Sequence, residues 1–428
     1  MTIETVRKYV EKQKGKWDSM TKKAYRYRFY PTPAQAHNLA CTFGCCRFIY
    51  NWALHKRKRA YFDQGIKLST KDLSAAIPAL KKEEGTAWLK EVSSVPLQQA
   101  LRHLEAAYTN FFEGRAQYPT FKKKHHEQSA TYADNAFTLK GDKLTLAKHK
   151  EPLDIVWSRA LPEGTKPSSV TVTKDKVGRY FVSILIEEEI TPLAQTEKTV
   201  GLDLGLKSFL ITSDGKTISN PKYYARDEKK LAKAQRRHAK KKKGSKNREK
   251  ARKKVAKLHA RIADTRRDFQ HQVSTKLIRE NQVICVETLN VKGMLQNHGL
   301  AKAISDVGWG GFVRQLEYKA TWYGRTLIKI DRWYPSSKTC SACGHVLESL
   351  TLDVREWACP SCGVCHDRDV NAACNIKAVG LTASACGGSV RRDEVRASHA
   401  APGETGNLHR EVGNPLAEAR GRMSSLQR

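Results

Sequence analysis

From Lys23 to Tyr30 the chain alternates, with Tyr25, Tyr27 and Phe29 on one side and Arg26 and Arg28 on the other. That period of two predicts a half-buried strand. Thr32-Pro33-Ala34-Gln35 follows, with Thr32 as N-cap, Pro33 at the first helical position and Gln35 at the third. This capping box predicts a helix start. Leu39, Phe43, Cys46, Tyr50 and Ala53 recur at spacings of three and four, as do Leu97, Leu101, Leu104, Tyr108 and Phe111. Residues 31–115 therefore read as a helical bundle with Cys46 in its core. From about residue 129 the period returns to two. Phe137–Leu146 predicts a hairpin turning at Gly141-Asp142, and Val170–Thr173 and Tyr180–Ile186 add strands. With the Tyr25 strand these are expected to close a β-barrel that the helical bundle interrupts.

At Val200 the pattern changes again. Val200-Gly-Leu-Asp-Leu-Gly205 and Ser208–Thr212 predict a strand and a hairpin partner ending at Asp214-Gly215. A long polar helix, the apolar strand Val283–Val286, a helix from about Phe312 to Tyr323 and the strand Thr326–Ile330 follow. Strands preceding helices in this order predict an α/β domain. Residues 336–365 interrupt it with a cysteine-dense insert. After Ala378 the chain is rich in Gly, Ser, Arg and Glu with little periodicity, which predicts a disordered tail. The first ~20 residues are polar and are expected to be loose.

Charge adds what periodicity cannot. The 428 residues carry 77 Lys+Arg against 43 Asp+Glu, a net of +34. Such an excess repels itself, and a polyanion is the usual reason to tolerate it, so nucleic acid is the expected partner. No segment reaches the ~18–20 apolar residues of a membrane-spanning helix, and the N-terminus lacks the apolar core of a signal peptide. A cytosolic location without a membrane partner is expected. Lys229–Lys254 holds 15 Lys/Arg and one acid, Glu249, which predicts a helix pair offering one face to phosphates. The remaining basic residues are spread along the chain, as at Lys56–Arg59 and Lys122–Lys124, which points to a broad channel.

Eleven cysteines in a cytosolic chain point to metal or core packing, not to disulfides. Cys340-x-x-Cys343 is followed, after 15 residues, by Cys359-x-x-Cys362. Two such knuckles supply the four soft ligands of a tetrahedral zinc site, and four cysteines leave no open position, so the zinc is expected to be structural. Gly344 and Gly363 ease the knuckles, and Cys365 is an alternative ligand. A set of carboxylates forms the other candidate. Asp203 lies inside an apolar strand, Glu287 ends the strand Val283–Val286, and Asp369 precedes the helix start Val370-Asn371-Ala372-Ala373. Converging, three such acids hold two Mg²⁺ ions about 4 Å apart, an arrangement suited to phosphodiester cleavage. Singly, each acid also reads as a cap or an ion-pair partner.

Several of these stretches resemble the TnpB (OrfB) family of insertion-sequence proteins, relatives of type V CRISPR effectors. They are Gly201-Leu202-Asp203-Leu204-Gly205, Val286-Glu287-Thr288-Leu289-Asn290, Pro335-Ser336-Ser337-Lys338-Thr339-Cys340 with its knuckles, and Asp369-Val370-Asn371-Ala372-Ala373-Cys374-Asn375-Ile376. Tyr27–Pro33 and Tyr118–Lys123 are similar as well, so the resemblance covers about residues 21–380. It implies an RNA-guided DNA endonuclease with a RuvC-like RNase H-fold nuclease domain. Asp203, Glu287 and Asp369 would be its magnesium ligands, and Cys340, Cys343, Cys359 and Cys362 would hold zinc. The implied map is a multidomain α+β chain with a flexible N-terminus (1–20) and a wedge-like β-barrel (21–30 and 126–196). A helical recognition domain (31–125), a nuclease domain (197–335 and 366–380), a zinc-ribbon target-nucleic-acid-binding insert (336–365) and a disordered tail (381–428) complete it. The implied partners are guide RNA and target double-stranded DNA, recognised next to a short motif. Oligomeric state is open, with a monomer as the simpler expectation.

The family often has an acid where this chain has Thr288, a position flanking the site. Asp367 stays as a second candidate for the third ligand. Three rivals remain: an RNA-guided repressor without cleavage, a DNA-joining transposase, and a structural nucleic-acid-binding protein.

Overall fold

The computed structural model describes residues 20–351 and 353–385. The expected loose segment up to residue 19 and the expected tail from 386 lie outside the described residues. Strand β1 (Met20–Phe29) leads through the Thr32–Gln35 capping box into α1 (Pro33–Gln64), which stops where Gly65 turns to φ 69°. Helices α2 (Thr70–Lys82) and α3 (Ser94–Phe112) complete the helical insert. The chain returns to strands with β2 (Gln128–Ala133), the hairpin β3 (Phe137–Lys140) and β4 (Lys143–Leu146), β5 (Ile155–Val156), β6 (Pro167–Lys174) and β7 (Tyr180–Glu189).

These strands form a five-stranded sheet in the order β2-β6-β7-β1-β5, with β1 paired along its whole length to β7. The expected barrel does not close among the described residues. β5 has two residues, and β3 and β4 pair with each other, so β2 and β5 remain edges. The inward row predicted from alternation is observed: Tyr25, Tyr27 and Phe29 are buried with Val170, Val172, Val182 and Ile184. Leu39, Phe43, Ile49, Leu97 and Leu101 of the helices lie in that same core, so the sheet and its helical insert pack as one body.

The second half begins with β8 (Thr199–Leu204), β9 (Ser208–Thr212) and β10 (Thr217–Ser219). Two basic helices follow, α4 (Tyr223–Ala239) and α5 (Lys246–Glu280), then β11 (Val283–Glu287). Short helices α6 (Val291–Met294) and α7 (Ala301–Val307) lead to α8 (Trp309–Tyr323) and β12 (Thr326–Ile330). The cysteine insert carries β13 (Glu356–Ala358) and β14 (Cys365–Asp367), and α9 (Arg368–Ala385) ends the described chain. Residues 381–385, expected to be disordered, continue α9, because Ile376 and Gly380 seat that helix on the sheet.

The second sheet runs β10-β9-β8-β11-β12, with β8, β11 and β12 parallel and β9 antiparallel to β8. Val283–Val286 is apolar throughout because the strand is covered on both faces. Ile284 and Val286 share a core with Val273, Leu277, Phe312 and Leu316 of α5 and α8, whereas Val283 and Cys285 pack with Ile376 of α9. No helix among the described residues is long and apolar enough to cross a membrane.

Candidate active site

Strand alternation decides where the acids face. On β8, Val200, Leu202 and Leu204 enter the core shared with α5 and α8, which leaves Gly201 and Asp203 toward α9. On β11 the residue facing α9 is Cys285, and Glu287 follows it by two. The parallel ladder pairs Leu202 with Val286, so Asp203 and Glu287 continue it side by side at the C-terminal ends of their strands. Asp369 stands in the first turn of α9.

Two glycines let α9 come this close. A Cβ on Gly201 would lie 2.0 Å from the Ala373 carbonyl oxygen, and one on Gly380 would lie 2.5 Å from Cys285 Sγ. The small residues Ala372 and Ala373 complete the contact, both buried. The helix is pressed onto β8 and β11, and its first turn carries Asp369 on the side of the sheet where Asp203 and Glu287 stand, near enough for its charge to act on Asp203. Among the described residues the four sulfurs of the insert, and not the three carboxylates, form a group within 4.8 Å of one another.

Electrostatics register the convergence. Burial, followed by the charges of Glu287 and Asp369, pushes the Asp203 carboxyl up to about 7. Burial raises Glu287 as well. Asp369 is kept in place by Arg355 of the insert, whose Nη1 lies 3.3 Å from Oδ2. Asp367 acts on the backbone instead. Its Oδ1 accepts from the N–H groups of Asp369 (3.0 Å) and Val370 (2.8 Å), as a helix cap does. All contributing donors are carboxylate oxygens, a hard set that suits Mg²⁺.

The insert gathers a second cluster. The sulfurs of Cys340, Cys343, Cys359 and Cys362 all lie within 4.8 Å of one another, a set of four soft donors that could hold a metal ion. Its halves repeat one geometry. Cys340 N–H donates to His345 O (2.7 Å) and Gly344 N–H to Cys340 O (2.9 Å); Cys359 N–H donates to Val364 O (2.9 Å) and Gly363 N–H to Cys359 O (2.8 Å). Gly344 and Gly363 take φ of 80° and 72°, as the knuckles require. The alternative ligand Cys365 sits exposed on β14, outside the cluster. Burial pushes the Cys340 thiol up, but the N–H groups of Cys343 and Ala342 and the His366 ring outweigh it and hold the thiol at about 5. His366 Nε2 lies 3.0 Å from that sulfur.

The two clusters are mechanically joined. Asn371 donates to Thr339 O (2.7 Å) and accepts from Ser341 N–H (2.9 Å), and Asn375 donates to Thr339 O (2.6 Å) and Ser336 O (2.8 Å). Both amides are buried, one helical turn apart on α9, and staple the first knuckle to the helix carrying Asp369. Sequence reasoning missed this role and that of Arg355. Asn371 and Asn375 at i and i+4 were the available signal for the staple.

The basic helices run alongside. α5 spans 35 residues, about 50 Å, and is tied to the first half by Arg179 Nη1 to Asp264 Oδ2 (2.7 Å). Most of the Lys/Arg between 229 and 254 are exposed.

Family profiles match three segments: OrfB_IS605, described as "Probable transposase", at residues 181–298; the Cas12f1-like TNB domain at 309–376; and a helix-turn-helix domain of OrfB_IS605 at 20–65. In the last segment the structure has a strand and one long helix. A protein of Streptomyces pristinaespiralis assigned as an RNA-guided DNA endonuclease is 54% identical over 371 residues, covering 86% of this chain and 92% of the relative. InsQ of Escherichia coli K12, assigned likewise, is 31% identical over 390 residues, covering 86% and 94%. Among solved structures, the Cas12f1 chain of a complex with sgRNA and target DNA shares the fold, with a TM-score of 0.53 at 14% identity over 84% of this chain and 99% of that one.

Proposed function

Since the chain belongs to the TnpB (OrfB) family, we propose that it is an RNA-guided DNA endonuclease of a transposable element whose cutting centre is Asp203, Glu287 and Asp369. The observation that carries the site assignment is that β8, β11 and α9 bring three acids to one side of one sheet, where burial first, and then the charges of Glu287 and Asp369, raise the Asp203 carboxyl to about 7. Carboxylates brought together in a half-buried place raise one another's pKa, and a bound cation relieves that cost. The three carboxylates would hold Mg²⁺, and the chemistry a bound ion would supply there is activation of water and neutralisation of the leaving oxygen of a phosphodiester. Asp203, half-buried between sheet and helix, supplies the fixed oxygen donor. Asp367 caps α9 and so aims Asp369, which makes Asp369 the better third ligand. Arg355, beside Asp369, is placed to meet the phosphate brought to the acids.

The four cysteines would hold structural zinc and, through Asn371 and Asn375, set the pose of α9. Guide RNA and target DNA are the partners. Basic residues on α4, α5 and the first half meet the phosphate backbones, while base pairing to the guide reads sequence. On this reading the first sheet and its helices are the wedge and recognition parts, and the second half is RuvC-like. The decisive experiment purifies the protein with co-expressed RNA, sequences that RNA, and offers a matched duplex. Cleavage that needs Mg²⁺, RNA and match is expected; a complex that binds both nucleic acids and cuts neither strand overturns the reading.

A further inference from the structure

β12 ends in a tight turn whose tip has no role so far. Trp333 N–H donates to Asp331 Oδ1 (2.7 Å) and Tyr334 N–H to Asp331 O (3.4 Å), which puts Arg332 and Trp333 at the apex. Both ends of the turn are braced. Ile330 pairs directly with Glu287, and its carbonyl accepts from Thr288 N–H (3.2 Å) and Oγ1 (2.8 Å). Tyr334 packs against the core of Val283, Cys285, Ile330 and Ile376. Pro335 O accepts from Thr339 N–H (3.0 Å) and its hydroxyl (2.9 Å).

On this rigid mount Trp333 is 76% exposed, more than any other large hydrophobic side chain among the described residues. An indole held in water by a braced turn does nothing for the fold. Arg332 lies over the ring, its Cζ 4.4 Å from the centroid. Such exposure leaves the other face open to a planar group. A cation beside an open aromatic face is what proteins present to the bases of single-stranded nucleic acid. The location fits. Three residues of chain reach at most about 10 Å and a ladder step adds about 5 Å, so the Trp333 backbone lies within about 15 Å of Glu287, a few nucleotides along a strand.

We propose that Trp333, backed by Arg332, is a stacking platform for one unpaired nucleobase a few nucleotides from the phosphodiester at Asp203, Glu287 and Asp369. It is a positioning residue: it fixes the register of the single strand and so which phosphate reaches the acids. This rests on the endonuclease reading of that site. The test uses the full chain with its bound RNA and a matched target carrying 2-aminopurine at successive positions of the unpaired strand. Base stacking is read as fluorescence quenching without Mg²⁺, and cutting is read separately with Mg²⁺. Wild type is expected to quench one or two neighbouring positions. Trp333→Ala should lose that quenching, cut about tenfold more slowly and spread its cut positions, with Trp333→Phe restoring most of all three. Zinc content and melting temperature of the variants should match wild type, since the ring is exposed. Trp333→Ala that quenches and cuts like wild type, or a wild type with no quenched position, overturns the platform. Wild type that quenches but never cuts overturns the endonuclease reading and leaves the platform standing.

Discussion

The carboxylate cluster and the thiolate cluster are linked through α9, which carries Asp369 and the amides that hold the first knuckle, yet they are built by opposite means. The four cysteines span Cys340 to Cys362, and two knuckle turns of one geometry aim them, with backbone N–H groups favouring the thiolate at Cys340. The acids come from Asp203, Glu287 and Asp369, and only a completed sheet with a helix pressed against it brings them together. In the first case local turns make a ligand set that wants a metal. In the second, tertiary packing forces like charges into a buried place and raises Asp203 to about 7. A local cluster can be autonomous, whereas a non-local one is only as well aimed as the packing behind it. Asn371 and Asn375 let the first support the second.

Removing a carboxylate should separate the clusters most sharply. Asp203→Ala is expected to lower cleavage by about a thousandfold or more while RNA and target binding change less than about threefold, measured by single-turnover cutting and filter binding. Unchanged cutting would remove Asp203 from the centre. Next in size, Cys340→Ser with Cys362→Ser should lose one zinc per chain by metal analysis and lower cutting by about a hundredfold through a slack α9. If cutting is untouched in the zinc-free protein, the clusters are independent. The double variant Asn371→Ala, Asn375→Ala cuts the staple alone: full zinc content and roughly tenfold slower cutting are expected. Zinc loss there would mean the amides serve the knuckle and not the acids.

The smallest effect is thermodynamic. Asp203 ionises near 7 in the folded chain against 3.8 ordinarily, so between those values the folded state holds a proton the unfolded state has lost. Stability of the Mg²⁺-free, zinc-loaded protein should therefore fall as pH rises through that window and level off above it, seen as a melting temperature lower at about pH 8 than at about pH 5. Asp203→Asn should flatten that decline by a few degrees. Glu287, shifted in the same direction, accounts for part of what remains.

Short-range signals were readable in the amino-acid order. The capping box at Thr32–Gln35, the hairpin at Gly141-Asp142, the strand Thr326–Ile330 and both knuckles each depend on residues a few places apart. The acid trio was legible as candidates from an aspartate inside an apolar strand, a strand-end glutamate and a helix-start aspartate, but not how the three approach, because nothing near Asp203 reveals that Ala373 will lie against Gly201. The barrel was over-read because alternation gives a strand its two faces but not its neighbours; β3 and β4 satisfy each other and close nothing. The end of α9 was missed because Ala378–Ala385 lacks a polar-apolar rhythm, while Gly380 is legible only as the spot where Cys285 needs room.

The third acid arrives on the last described helix, 166 residues after the first. Any shortened product that stops before residue 368 would lack Asp369 and so a complete set of the proposed metal ligands. Such a fragment would also bare the side of β11 that Ile376 covers, so the last helix closes the core of the second sheet and completes the ligand set in one step.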